Sequence, residues 1–357
     1  MGDKVKTIND LMRSINRPVR LMEVCGTHTV AIFRHGIRNL LPEDIKLLSG
    51  PGCPVCVTSV KDIETAIGIA GIDGVVFTTF GDMMRVPGDK KSLFNVKAEG
   101  CDVRVVYSPL DALQIAEQDK RKKVVFFATG FETTSPSVAG TIMEAEKRDV
   151  DNFFIYSVHK TVPPAIKALL DSGEVRVDGF ILPGHVSTII GSKPYDFMAS
   201  KYGKPSVITG FDADDILSGI MMLLEQIASG KAEVEIQYSR VVKKEGNPRA
   251  VDIMNEYFEP EDAEWRGIGT IPGSGLKLKD KFNHRDIKDI FRINVPECSE
   301  PKACSCGDVL KGVKIPTDCI LFGKACTPEK PVGACMVSSE GSCAAYYKYG
   351  PAPDIFK

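Results

Sequence analysis

No stretch of this sequence stays apolar for anything near the ~18 residues that a membrane-spanning helix needs. The opening Met1-Gly2-Asp3-Lys4 brings charge where a secretory leader carries its apolar segment. A cytoplasmic protein with no place in a membrane is expected. An excess of either charge is also lacking: 45 Lys and Arg face 47 Asp and Glu, for a net charge of −2. That argues against a nucleic-acid-binding protein, which needs a basic footprint. Neither Gly-x-Gly-x-x-Gly nor Gly-x-x-x-x-Gly-Lys followed by Ser or Thr occurs, so Gly50-Pro51-Gly52 and Gly130 are weak as phosphate cradles. No amphipathic heptad pattern is present, and a monomer is expected.

What is present in quantity is glycine, proline and cysteine. With 357 residues the chain exceeds what one core usually organises. Its 43% hydrophobic and 26% charged residues are those of an ordinary globular protein, and 32 Gly with 22 Pro predict many tight turns. The 11 cysteines are the informative number. In a reducing compartment structural disulfides are rare, which leaves metal binding or thiol redox chemistry.

Residues 5–17 read as a helix, with Val5, Ile8, Leu11, Met12 and Ile15 at helical spacing and Pro18 closing it. From Arg20 to Asp215 a short apolar run followed by a polar Gly- or Pro-containing loop recurs seven times. The loops begin at Cys25-Gly26-Thr27-His28, Gly50-Pro51-Gly52-Cys53-Pro54-Val55-Cys56, Phe80-Gly81-Asp82, Gly130-Phe131-Glu132, His159-Lys160, Gly184-His185 and Gly210-Phe211-Asp212. Strands alternating with helices predict an α/β fold with parallel sheets, whose site lies at the carboxyl ends of the strands. The basic run Lys120-Arg121-Lys122-Lys123 reads as a solvated turn between halves, and after Gly230 the pattern changes again. Three regions are expected: a first α/β domain over 1–119, a second over 120–229, and a smaller domain over 230–357. The last holds seven of the 11 cysteines and little apolar content, so a bound metal centre is the natural staple.

Cys319, Cys326, Cys335 and Cys343 put four thiols within 25 positions among Gly and Pro turns. Four thiolates suit an iron-sulfur cluster or a zinc ion, and the absence of paired Cys-x2-4-Cys knuckles among them favours a [4Fe-4S] cluster. Cys298, Cys304 and Cys306 form a second group, either alternate ligands or a redox relay; four ligands fill a cubane, so all seven cannot serve one. Cys53 and Cys56 have the spacing of dithiol oxidoreductases ahead of an acid-rich helical pattern from Val60; half of a metal site is the rival reading. Cys25 and His28 pair a soft thiolate with an imidazole on one turn, as a nucleophile with its base or as part of an iron site. Asp82, Arg85, Glu132, Thr133, Thr134, His159, Lys160, His185 and Asp212 are further strand-end residues, each equally readable as a cap or turn residue. Cys101 stands alone and reads as structural.

Six blocks of the sequence together resemble the [NiFe]-hydrogenase maturation protein family HypD. They are Met22 to Thr29, Ser49 to Cys56, Thr78 to Gly88, Ala128 to Thr134, Pro183 to Ser187 and Cys335 to Cys343. The resemblance implies an assembly scaffold for the Fe(CN)2CO unit of the hydrogenase active site, acting with a small HypC-type chaperone and receiving cyanide from a HypE-type donor supplied through HypF. It implies that Cys25 is the family's essential cysteine, Cys53 and Cys56 its Cys-Pro-x-Cys pair, and Cys319, Cys326, Cys335 and Cys343 its [4Fe-4S] ligands. Cys25, with a cysteine of the chaperone, would then hold the transient iron unit, with His28 in support. The dithiol would carry electrons between cluster and iron, and Asp82, Glu132, His159 and His185 would line the crevice. The other reading of the same residues is a cluster-linked dithiol oxidoreductase acting on protein disulfides, which would need Cys53 and Cys56 but not Cys25.

Overall fold

The computed structural model describes residues 1–350 apart from Asn294 and Pro296. The short apolar runs form parallel strands as the periodicity predicts. They are β1 (Val19–Glu23), β2 (Ile45–Ser49), β3 (Val75–Thr79), β4 (Val103–Val105), β5 (Lys123–Ala128), β6 (Phe153–Ser157), β7 (Gly179–Pro183), β8 (Ser206–Thr209) and β9 (Val234–Ile236). Strands β3, β6, β7 and β8 are buried at every residue. Helices cover both faces of such sheets, so their strands read as unbroken apolar runs without alternation.

The strands sort into two sheets in an order the sequence does not follow. One has the order β2-β1-β7-β8-β9 and the other β4-β3-β5-β6, every pairing parallel. The chain thus leaves the first sheet after β2, completes the second, and returns. The division expected at 119/120 falls between β4 and β5 of a single sheet, and that at 229/230 between β8 and β9 of the other. Lys120 to Lys122 form the turn into β5, which opens at Lys123.

The opening helix runs Gly2–Ile15, ends where Asn16 takes the left-handed conformation (φ 51°), and buries Ile8 and Met12 against the helix Ala213–Ser229. Beyond β9, the helix Pro248–Tyr257 leads into an antiparallel hairpin of β10 (Phe258–Trp265) and β11 (Gly269–Leu278). The Gly-rich segment from Gly267 to Gly275 lies mostly in β11. The single tryptophan, Trp265, is fully buried; its indole N–H donates to Ser274 Oγ at 2.7 Å and its ring lies over Phe131. Arg266 beside it is buried and donates to the carbonyls of Thr58 and Pro87. One apolar cluster therefore joins Val24, Cys53 and Cys56 to Phe131, Phe180, Trp265, Cys306 and Cys335. Residues from all three expected regions share that core.

Candidate functional site

The site is built where strands of the five-stranded sheet end. After β1 the chain enters the helix Gly26–Arg34 with Cys25 as its N-cap; after β2 it turns through Gly50-Pro51-Gly52 into the short helix Pro54–Val57 with Cys53 as its N-cap. The two loops touch backbone to backbone, Gly26 N–H donating to the Gly52 carbonyl at 3.0 Å. A Cβ at Gly52 would strike the backbone of Val24 and Cys25, so this approach requires glycine. Cys53 and Cys56 are joined by a disulfide with Cα atoms 5.3 Å apart, in the same core as Cys335. The turn Ala334–Met336 packs directly on the helix Pro54–Val57.

Around Cys25 the polar groups are few: His28 is buried, and Thr27 and Glu340 are half-buried. Burial, reinforced by the charge of Glu340, pushes its thiol up to about 11. Glu340 is held by Thr27, whose hydroxyl donates to Oε1 at 2.7 Å. His28 is fully buried with Nε2 3.0 Å from the Gly210 carbonyl and 2.9 Å from Thr209 Oγ1. A carbonyl can only accept, so Nε2 carries the proton and Nδ1 keeps its lone pair. Nδ1 has no partner. Desolvation lowers the His28 pKa to about 4 and keeps the ring neutral. Phe211 lies between His28 and His185, its centroid 4.7 and 4.0 Å from theirs. Cys25, His28, Cys53, Cys56 and His185 thus share one end of one sheet.

Other strand-end residues go elsewhere. His159 and Lys160, at the end of β6, line a separate groove with Asp62, Tyr156 and Glu261. Lys160 is buried there against Asp62 at 3.3 Å. Asp212 is exposed and faces Arg240, and Arg85 donates to the carbonyls of Pro328 and Glu329. Asp82 accepts from Ser338 Oγ at 3.3 Å and from Ser339 N at 3.4 Å, tying the second sheet to the segment that carries Cys335 and Glu340. Three groups near Cys25 were not singled out from sequence: the half-buried Glu340 and the buried Glu23 and Tyr195. Glu340 sits inside the Cys335 to Cys343 block and Glu23 inside the Met22 to Thr29 block, so that company was their only signal.

Glu132 is buried, accepts from Val162 N at 2.9 Å through Oε1, and leaves Oε2 unpartnered. Burial raises its pKa from 4.5 to about 7, and does the same to Glu23. Between those values the folded chain binds protons that the unfolded chain releases, so this contribution to stability is full below pH 4.5 and is lost as pH rises through about 7. His28 and His159, lowered to about 4 and about 3, act oppositely, and their contribution is lost as pH falls below 6.5. Glu132→Gln should therefore raise the thermal midpoint relative to the parent at pH 8 and leave it nearly unchanged at pH 4.5. Equal shifts at both pH values would show that Glu132 does not titrate in this way.

Farther along the chain, Cys304, Cys306, Cys319, Cys326, Cys335 and Cys343 line one small cavity, of about 10 Å³, whose walls also include Val309, Leu321, Phe322 and Met336. Cys298 is not among its walls. The backbone N–H of Val332 donates to Cys326 Sγ at 3.3 Å. Among the described residues, no three or more His, Cys, Asp or Glu side chains are grouped to hold a single metal ion. The six thiols surround a space instead of meeting at a point. Their softness and apolar walls fit an iron-sulfur cluster better than a lone hard cation.

Comparison with known proteins matches this chain to the family HypD, described as "Hydrogenase formation hypA family", over residues 2–350. It is 48% identical to the hydrogenase maturation factor HypD of Rhodobacter capsulatus, covering 99% of this chain and 95% of that one. It is 45% identical to the protein of the same name from Cupriavidus necator, over 99% and 96%, and 46% identical to that of Azotobacter vinelandii, over 94% and 90%.

Proposed function

The chain belongs to the HypD family of hydrogenase maturation factors, and from that membership and its thiol arrangement we propose that it is the scaffold on which the Fe(CN)2CO unit is assembled, together with a HypC-type chaperone and a HypE-type cyanide donor. The observation that carries this reading is the line of thiols through one core. Cys25 abuts the Cys53–Cys56 loop, and the Cys53–Cys56 helix packs on the turn bearing Cys335.

Each group has a role its surroundings support. The Cys25 thiol is buried and protonated, and binding of the iron cargo would displace that proton and leave a soft thiolate donor. His28 offers an unpartnered Nδ1 from a ring held neutral and oriented by Gly210 and Thr209. Cys53 and Cys56 accept two electrons and two protons when their disulfide opens and release them when it closes. Cys319, Cys326, Cys335 and Cys343 would hold a [4Fe-4S] cluster. That cluster, when bound, supplies or takes up single electrons. Among the described residues no helix is long and apolar enough to cross a membrane, and we place the assembly in the cytoplasm.

Infrared spectroscopy of the anaerobically purified chain, co-expressed with its small chaperone, tests the reading. Bands in the window where metal-bound CO and cyanide stretch, and where protein does not absorb, are expected alongside iron and sulfide of the cluster. A sample with its cluster intact but no such bands would instead favour the dithiol oxidoreductase.

A further inference from the structure

Away from the thiols, a cavity of about 670 Å³ runs along the outer edge of β2, the end strand of the five-stranded sheet. That is the size of a small-molecule site. Its opposite wall is the segment from Gly312 to Ile315 with Asp318. Four cations line it, Arg20, Arg38, Lys46 and Lys314, against two carboxylates, Glu43 and Asp318. Asp318 is occupied in accepting from the Ile315 N–H at 3.0 Å, and Lys314 is held by Asp308 at 2.8 Å. That leaves Arg20, Arg38 and Lys46 with Glu43 as the one other carboxylate on the walls.

None of the three is placed as a solitary surface charge would be. Arg20 and Lys46 are register partners in the β1–β2 pairing. Two like charges therefore stand side by side on one face of the sheet, which costs stability unless an anion lies between them. Arg38 is pinned by aromatic rings: its guanidinium carbon lies 4.7 Å from the ring centre of Phe33 and 5.2 Å from that of Tyr346. Its Nε and Nη2 have no hydrogen-bond partner, and Glu23 Oε1 stands 3.9 Å from Nη2, outside hydrogen-bond reach. Burial raises the Glu23 carboxyl to about 7, so near neutrality it is only partly ionised and does not cancel the Arg38 charge in full.

We infer that this cavity binds a small organic anion with two oxyanion groups, carboxylates or phosphates, one on Arg38 and the other between Arg20 and Lys46. A guanidinium already held in place by two rings loses little freedom when it takes up an oxyanion. An anion between Arg20 and Lys46 turns one repulsion into two attractions. Leu41, Leu48 and Val313 on the same walls give apolar surface to the carbon chain that joins the two groups. No thiol takes part, so the inference stands or falls apart from the maturation reading.

The test measures binding to the full purified chain by calorimetry in Tris chloride, with glutarate, a sugar bisphosphate, inorganic phosphate and acetate as probes. Saturable binding of glutarate or of the bisphosphate is expected, at least about tenfold tighter than phosphate or acetate, with a rise in thermal midpoint. Whichever of the two binds tells carboxylate from phosphate. Arg38→Gln should weaken binding by about tenfold or more, and Lys46→Gln, an exposed change, several-fold. Arg121→Gln, which removes an exposed cation outside the cavity, should leave it unchanged. Should Arg38→Gln unfold because it bares the buried Glu23, Lys46→Gln decides. Failure of both two-headed anions to bind overturns the inference. So does phosphate or acetate binding as tightly as they do, parental affinity in Lys46→Gln, or an equal loss in Arg121→Gln, which would reduce the effect to net charge.

Discussion

Cys25→Ala should remove every infrared band of metal-bound CO and cyanide from the purified complex while leaving the iron and sulfide of the cluster in place. The expectation comes from where the thiol lies. Beside it His28 is neutral and buried, and the half-buried Glu340 is engaged by Thr27 and offers only hard oxygen donors, which do not replace a thiolate on iron carrying CO and cyanide. The cysteine-lined cavity shares no residue with the Cys25 loop, so its contents should be indifferent to the change. Removing one sulfur atom leaves a small void at a helix N-cap and costs on the order of 1–2 kcal/mol, too little to unfold a domain of ordinary stability. Cys25→Ser should behave almost as badly, because a hydroxyl is a poor substitute for a thiolate on low-spin iron. Retention of the bands in Cys25→Ala would place the iron elsewhere. Loss of bands together with cluster iron would point to a collapsed site and leave Cys25 without a specific role.

Much of the architecture is legible because buried parallel strands write themselves as unbroken apolar runs ended by a loop of glycine or polar residues. Phe153 to Ser157, ahead of His159, and Gly179 to Pro183, ahead of Gly184, are examples. The order β2-β1-β7-β8-β9 is not legible, since parallel strands of similar composition carry no mark of their neighbours. That single gap explains why the expected divisions fall within sheets, and also the fate of His159, which obeys the strand-end rule but belongs to the other sheet and lies in the groove with Asp62. Cys25, Cys53 and Cys56 stood out through residue type and spacing. Glu340, 313 residues from its partner Thr27, could not. Cys304 and Cys306 stay open in the sequence as alternate ligands or a redox relay, because counting the ligands of a cubane says nothing about which thiols line one cavity.

Gly52→Ala should disturb the site more than any other exchange of one methyl group. Gly52 has no left-handed backbone angle, so alanine suffers no conformational penalty there and the effect is contact alone. The added carbon would run into backbone atoms of Val24 and Cys25, which cannot rotate away as a side chain can. Either the β1 loop moves or the β2 loop does, and the Gly26 to Gly52 hydrogen bond that joins them is lost. Overpacking of this kind costs about 1–3 kcal/mol, and the movement separates Cys25 from the Cys53–Cys56 pair. Lower denaturant stability and weakened or absent infrared bands are expected together. Gly140→Ala is the control, because its new carbon would sit 3.7 Å from Ile253 Cδ1 inside the helix Ser135–Lys147. There alanine should stabilise by roughly 0.5–1 kcal/mol and leave the bands unchanged. Should Gly52→Ala match the parent in both stability and bands, the close approach of the two loops would not be what sets Cys25 beside the disulfide.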